Sequence, residues 1–202
     1  MSVFGLWAVT AVADGPVRTW RERYADELAA TARADGQAMA WWAGLGDDAF
    51  LERDEHDRWH LTEAGSDFAD LFWESEPADL VPEVLAAAEA AGESGRCCPS
   101  ARKGSPAAAF YQALGVADTV RMPGGLGTFL LTADETAAAL PEVERILAET
   151  RREELIERVG LWLDHAANGS VAGAWEVVDG VVRVFREAAA RQLGVAAVSV
   201  FY

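Results

Sequence analysis

Cys97 and Cys98 stand side by side, with Arg96 and Arg102 nearby, and are the first residues of this 202-residue chain whose types could do chemistry. A thiolate is a nucleophile and a metal ligand, and neighbouring guanidinium groups favour it by lowering the thiol pKa. A metal site would need further ligands at set spacing. The histidines are His56, His60 and His165, there is no C-x-x-C pair, and His56 and His60 lie across an expected turn. The expectation is a pair of reduced loop cysteines and no metal. Adjacent cysteines cannot staple distant parts of a fold, so a disulfide framework is absent, which fits a reducing compartment, the cytoplasm.

Asp164-His165 could act as orienter and base, but no G-x-S-x-G accompanies them. A histidine at a helix end is also favoured by the dipole. Gly124-Gly125-Leu126-Gly127-Thr128 has the composition of a phosphate cradle. It lacks the Lys-Ser/Thr of a P-loop and the G-x-G-x-x-G of a dinucleotide site, so a hairpin loop and no cofactor are expected. With 33 Asp and Glu residues, acid pairs occur at every spacing, and no general acid–base pair stands out. Trp20, Trp41, Trp42, Trp59, Trp73, Trp162 and Trp175 could line a ligand pocket, although aromatic residues at helical spacing are more often core.

Charge is the strongest anomaly. The net charge is −16, and residues 47–93 hold 15 acidic residues against Arg53 and Arg58, a net −13. Such a field repels nucleic acid and anionic membranes and attracts basic partners. It also keeps a protein dispersed. Within the block, Arg58–Gly65, RWHLTEAG, has the form of the hairpin-to-helix junction of a winged-helix domain. Its charge argues against DNA. The candidate wing carries Asp54, Glu55 and Asp57, and the helix behind it Glu63, Asp67, Asp70 and Glu74 with no base, whereas phosphate affinity comes from Lys and Arg.

The elements that must position these residues follow from hydrophobic pattern. Residues 2–10 and 195–202 are apolar on both faces and read as strands inside one sheet. The N-terminal run lacks the flanks of a signal peptide, and no stretch is long enough to cross a membrane. Helices are expected from Thr19, with Trp20, Tyr24 and Leu28 on one face, and after Thr62, an N-cap ahead of Phe68, Leu71 and Phe72. Further helices are expected over Ala107–Leu114, after Thr132 with Glu135 at capping-box spacing, over Glu142–His165 with an interruption at Gly160, and from Val171 to Leu193. Pro77 and Pro141 should end or break helices. Phe50–Arg53 and Arg58–Leu61 read as a hairpin, Val116–Met122 and Thr128–Leu131 as strands, and residues 92–106 as a loop without regular structure.

Three segments, MSVFGLWAV at the N-terminus, FLLTADETAAAL at Phe129–Leu140 and VFREAAARQLGVAAVSV near the C-terminus, resemble the YfbM-like family of uncharacterised bacterial proteins. The resemblance implies a compact α/β-type domain of unknown activity and transfers no catalytic residue. Residues 47–106 show none of the family's pattern.

The sequence thus predicts one α+β domain over residues 1–202, with a single mixed sheet containing both terminal strands, helices covering it, and an acidic hairpin–helix subdomain at 47–93. The expected function is that of a non-enzymatic binding protein, immunity- or inhibitor-like. It would engage a basic protein through Asp54, Glu55, Asp57, Glu63, Asp67, Asp70 and Glu74. The alternatives are a small-molecule hydrolase or transferase with a Trp-lined pocket, built around Cys97 or His165, and a winged-helix regulator.

Overall fold

The computed structural model describes residues 4–46, 49–74, 78–166 and 173–201. Strand β1 (Phe4–Val12) leads into helices α1 (Asp14–Arg23) and α2 (Ala25–Leu45). The hairpin β2 (Leu51–Arg53) and β3 (Trp59–Leu61) follows, then α3 (Glu63–Glu74) and α4 (Leu80–Ala91). Short strands β4 (Arg96–Cys97) and β5 (Ser100–Arg102) precede α5 (Pro106–Leu114), α6 (Val116–Thr119) and β6 (Phe129–Leu131). The chain closes with α7 (Ala133–Ile146), α8 (Glu149–Ala166), α9 (Ala174–Ala190) and β7 (Gly194–Phe201).

The two terminal strands are neighbours, as their apolar character requires. β1 and β7 pair antiparallel from Gly5 opposite Phe201 to Val12 opposite Gly194. β6 extends the sheet beyond β7, and β4 and β5 both pair with β1 on its other side. These pairings are all antiparallel, and β2–β3 forms a separate two-stranded sheet.

Strand alternation divides the core between the two faces. Trp7, Val9, Ala11, Phe129, Leu131, Val195 and Ala197 point to one side, where α5, α7, α8 and α9 pack. Ala8, Val12, Leu130, Ala196, Val198 and Val200 point to the other, against Val17 and Trp20 of α1 and Leu80, Val81 and Val84 of α4. The β2–β3 hairpin and α3 are anchored in the first of these layers. Phe50 stacks on Phe68 with ring centroids 4.7 Å apart, and Phe68 meets Trp42 at 4.9 Å and Trp162 at 5.7 Å. Phe50, Phe68 and Phe72 are all buried.

Both expected caps form. Thr62 Oγ1 accepts the Gly65 amide at 3.0 Å, and Thr132 and Glu135 make the reciprocal capping box. Other expectations are corrected. Residues 92–106 contain β4 and β5, because the outer edge of β1 supplies hydrogen bonds that local sequence does not reveal. Val116–Met122 forms α6 and turns instead of a strand, with the Thr119 hydroxyl held by the Tyr111 carbonyl at the end of α5. The helix expected from Thr19 begins at Asp14.

Helix α7 runs through Pro141, since burial of Val143 and Ile146 beyond it offsets the lost hydrogen bond. The break before α8 falls at Leu147–Ala148, and Gly160 lies inside that helix. Trp175, expected on the packed side of α9, is exposed. Pro77 lies outside the described residues.

Candidate functional site

The acidic residues singled out from the sequence separate into two groups. In the hairpin, Asp54 organises the turn. Its Oδ1 accepts the His56 and Arg58 amides at 2.8 and 2.9 Å, and its Oδ2 accepts Arg58 Nε at 2.9 Å. Those amide and guanidinium donors, Arg58 foremost, hold the carboxyl down at about 2. Asp57, in the left-handed region at φ +60°, pairs with Arg53. Glu55 is exposed, with the His56 ring 3.5 Å away, and His60 faces Glu52 at 3.0 Å. Arg53 also lies over the Trp59 ring, 4.7 Å from its centroid. Much of the hairpin's charge is therefore spent within it.

Helix α3 differs. Glu63, Asp67 and Asp70 recur at i, i+4 and i+7 and are exposed, while Phe68 and Phe72 face inward. None of the three is ion-paired to a described residue. The side chain of Glu74 lies outside the described residues.

The two candidate thiols are buried and half-buried. Cys97 is buried, its Sγ is 3.3 Å from the Glu176 carbonyl oxygen, and burial first, then Glu176 and Cys98, pushes its thiol up to about 12. Burial also raises the half-buried Cys98, against the lowering effect of Arg96. The guanidinium of Arg96 reaches the Ala88 carbonyl at 3.5 Å. Asp164 is exposed, and the His165 side chain is outside the described residues. Among the described residues no cluster of His, Cys, Asp and Glu could hold a metal ion. Trp42 and Trp162 are core residues, as is Trp20, and none of them lines the cavity between α2 and β6.

A further concavity joins the glycine-rich segment singled out from the sequence to Asp35 and Met39, which were not. A cavity of about 770 Å³ lies between α2, the α6 region and β6. Leu28, Met39, Met122 and Phe129 supply apolar wall, and Asp35 and Thr128 supply polar groups. The glycine-rich segment 124–128 forms one side of it, so this is not a hairpin loop: the strand it feeds, β6, pairs with β7. Three side chains far apart in sequence converge on that segment. Asp35 Oδ2 accepts the Leu126 amide at 2.9 Å, Trp7 Nε1 donates to the Gly127 carbonyl at 2.9 Å, and Tyr111 lies against the Gly127 amide.

Asp35 is 8% exposed, and burial pushes its carboxyl up to about 6 despite the Leu126 amide. The signal for it was present in the helix pattern. Leu28, Ala32, Asp35 and Met39 recur at i, i+4, i+7 and i+11, which puts one acid on an otherwise apolar stripe. Among the described residues, no helix is long and apolar enough to cross a membrane. No family model matches the chain, and no curated protein or solved structure matches it.

Proposed function

We propose that the protein is a non-enzymatic binding protein that docks a basic protein partner on the acidic face of α3, as an immunity or inhibitor protein does, in the cytoplasm. The observation that supports this reading is the exposed row Glu63, Asp67 and Asp70 on a helix anchored by Phe68 and Phe72. The row stands on a packed helix, bears one sign of charge, and lies in the segment that carries most of the chain's excess. Such a face speeds association and selects cationic partners more than it adds affinity, because each exposed pair contributes only about 0–1 kcal/mol. Phosphate backbones are disfavoured by the same charge. The free thiols of Cys97 and Cys98 fit a reducing compartment.

The hairpin acids Asp54 and Asp57 act mainly in shaping the turn, so the test belongs on α3. Affinity capture from native lysate at low and high salt, with wild type and the Glu63→Gln/Asp67→Asn/Asp70→Asn variant, reads the proposal. The expected result is a basic protein retained at low salt, released at high salt and lost by the variant. Capture that the variant leaves undiminished would sink it.

A further inference from the structure

We infer that the cavity between α2 and β6 is a binding site for a small ligand that joins an apolar body to a protonated amine, with the amine resting on Asp35. The site goes beyond the docking face: Glu63, Asp67 and Asp70 are not among its lining residues.

Size and lining come first. About 770 Å³ falls within the roughly 300–1,000 Å³ of small-molecule sites, and such sites are mostly apolar with a few fixed polar groups. Ala29, Ala32 and Gly36 of α2 are both exposed and part of the wall, so the cavity reaches the surface and a ligand has a way in.

The charge of the occupant follows from Asp35. A carboxylate offers about four acceptor positions. Here Oδ2 takes one amide hydrogen, from Leu126, and Oδ1 takes none from a described residue. No described Lys, Arg or His is ion-paired with it. A buried carboxylate with one donor is under-satisfied, and a cationic donor relieves both its charge and its empty acceptor positions.

The other classes fit less well. An anionic ligand would face Asp35 across an apolar wall. The guanidinium in that wall, Arg21, is already committed to Glu135 at 2.6 Å and to the Leu130 carbonyl. A neutral donor would fill an acceptor position but leave the charge unpaired. The net charge of −16 adds a long-range preference for cations.

The experiment is calorimetric titration of the full chain at neutral pH with three probes of one shape: 4-phenylbutylamine, 4-phenylbutanol and 4-phenylbutyrate. The amine should bind at least about tenfold more tightly than the alcohol, as expected for one charge-assisted hydrogen bond in a desolvated site, and the carboxylate should not bind. Asp35→Asn should reduce the amine to the affinity of the alcohol. Ala32→Trp, which fills the cavity from an exposed helix position, should abolish both. Equal binding of amine and alcohol to the wild type, no binding of any probe, or full amine affinity in the Asp35→Asn variant would overturn the assignment. If Asp35→Asn does not fold, the comparison of amine with alcohol on the wild type still decides.

Discussion

Asp35, in the middle of α2, accepts the amide hydrogen of Leu126 at 2.9 Å across 91 residues of sequence. That bond ties a long, largely solvent-facing helix to the glycine-rich segment leading into β6, and it places a carboxylate in the wall of a cavity.

Removing that charge should stabilise the fold at neutral pH. Asp35 titrates near 3.8 when unfolded and at about 6 in the fold, so the folded state prefers the protonated acid. The cost is absent below about pH 4, grows as pH rises towards 6, and stays at about 3 kcal/mol above that. Nearby Tyr111, its phenol raised by burial, stays neutral throughout. Asparagine keeps an acceptor for the Leu126 amide. Urea unfolding of Asp35→Asn should therefore show a gain at pH 7.5 and almost none at pH 4; an equal gain at both would contradict the ionised, under-satisfied carboxylate.

Two glycines near this bond should respond oppositely to alanine. Gly125 has φ +83°, and a Cβ there would collide with the Asp35 carboxylate. Gly125→Ala should cost about 2 kcal/mol or more. Gly36 sits in α2, where a Cβ meets nothing within 4 Å, and Gly36→Ala should gain about 1 kcal/mol from helix propensity. Denaturant midpoints measure both.

The Asp54 turn should loosen in acid. Its folded pKa is depressed to about 2, so its contribution is present above about pH 4 and is lost as pH falls towards 2. Amide exchange at His56 and Arg58 should accelerate in Asp54→Ala at neutral pH, with little change in the buried strands β1 and β7. Unchanged exchange would mean that the carboxylate does not hold the turn.

The thiols should behave as inert groups. Cys97 is 1% exposed with a strongly raised pKa, and Cys98 is half-buried. A disulfide reagent at pH 7.5 should leave Cys97 unmodified until the protein unfolds and modify Cys98 slowly. Rapid labelling of Cys97 in the native protein would reopen a nucleophilic role.

What the sequence revealed, and what it hid, has a physical pattern. Strands β1 and β7 were legible because a strand buried on both faces has no polar side to confuse the reading. The junctions at Thr62 and Thr132 were legible because capping is a local interaction between residues three apart. Strands β4 and β5, two and three residues long, were hidden because they exist through hydrogen bonds to β1. Asp54 and Asp57 looked like free surface charge until the turn placed Arg58 and Arg53 against them. Asp35 went unnoticed among 33 carboxylates, since its meaning comes from Leu126, far along the chain.

The docking face is tested most directly by the association rate of the captured basic partner with two charge-matched variants. One is Glu63→Gln/Asp67→Asn/Asp70→Asn on α3. The other neutralises Glu22, Glu153 and Glu157, three exposed acids on α1 and α8. A site-specific face predicts association slowed by roughly tenfold or more at low salt in the first variant and near wild-type rates in the second. Equal slowing in both would show that only overall charge matters, and would contradict a docking face on α3.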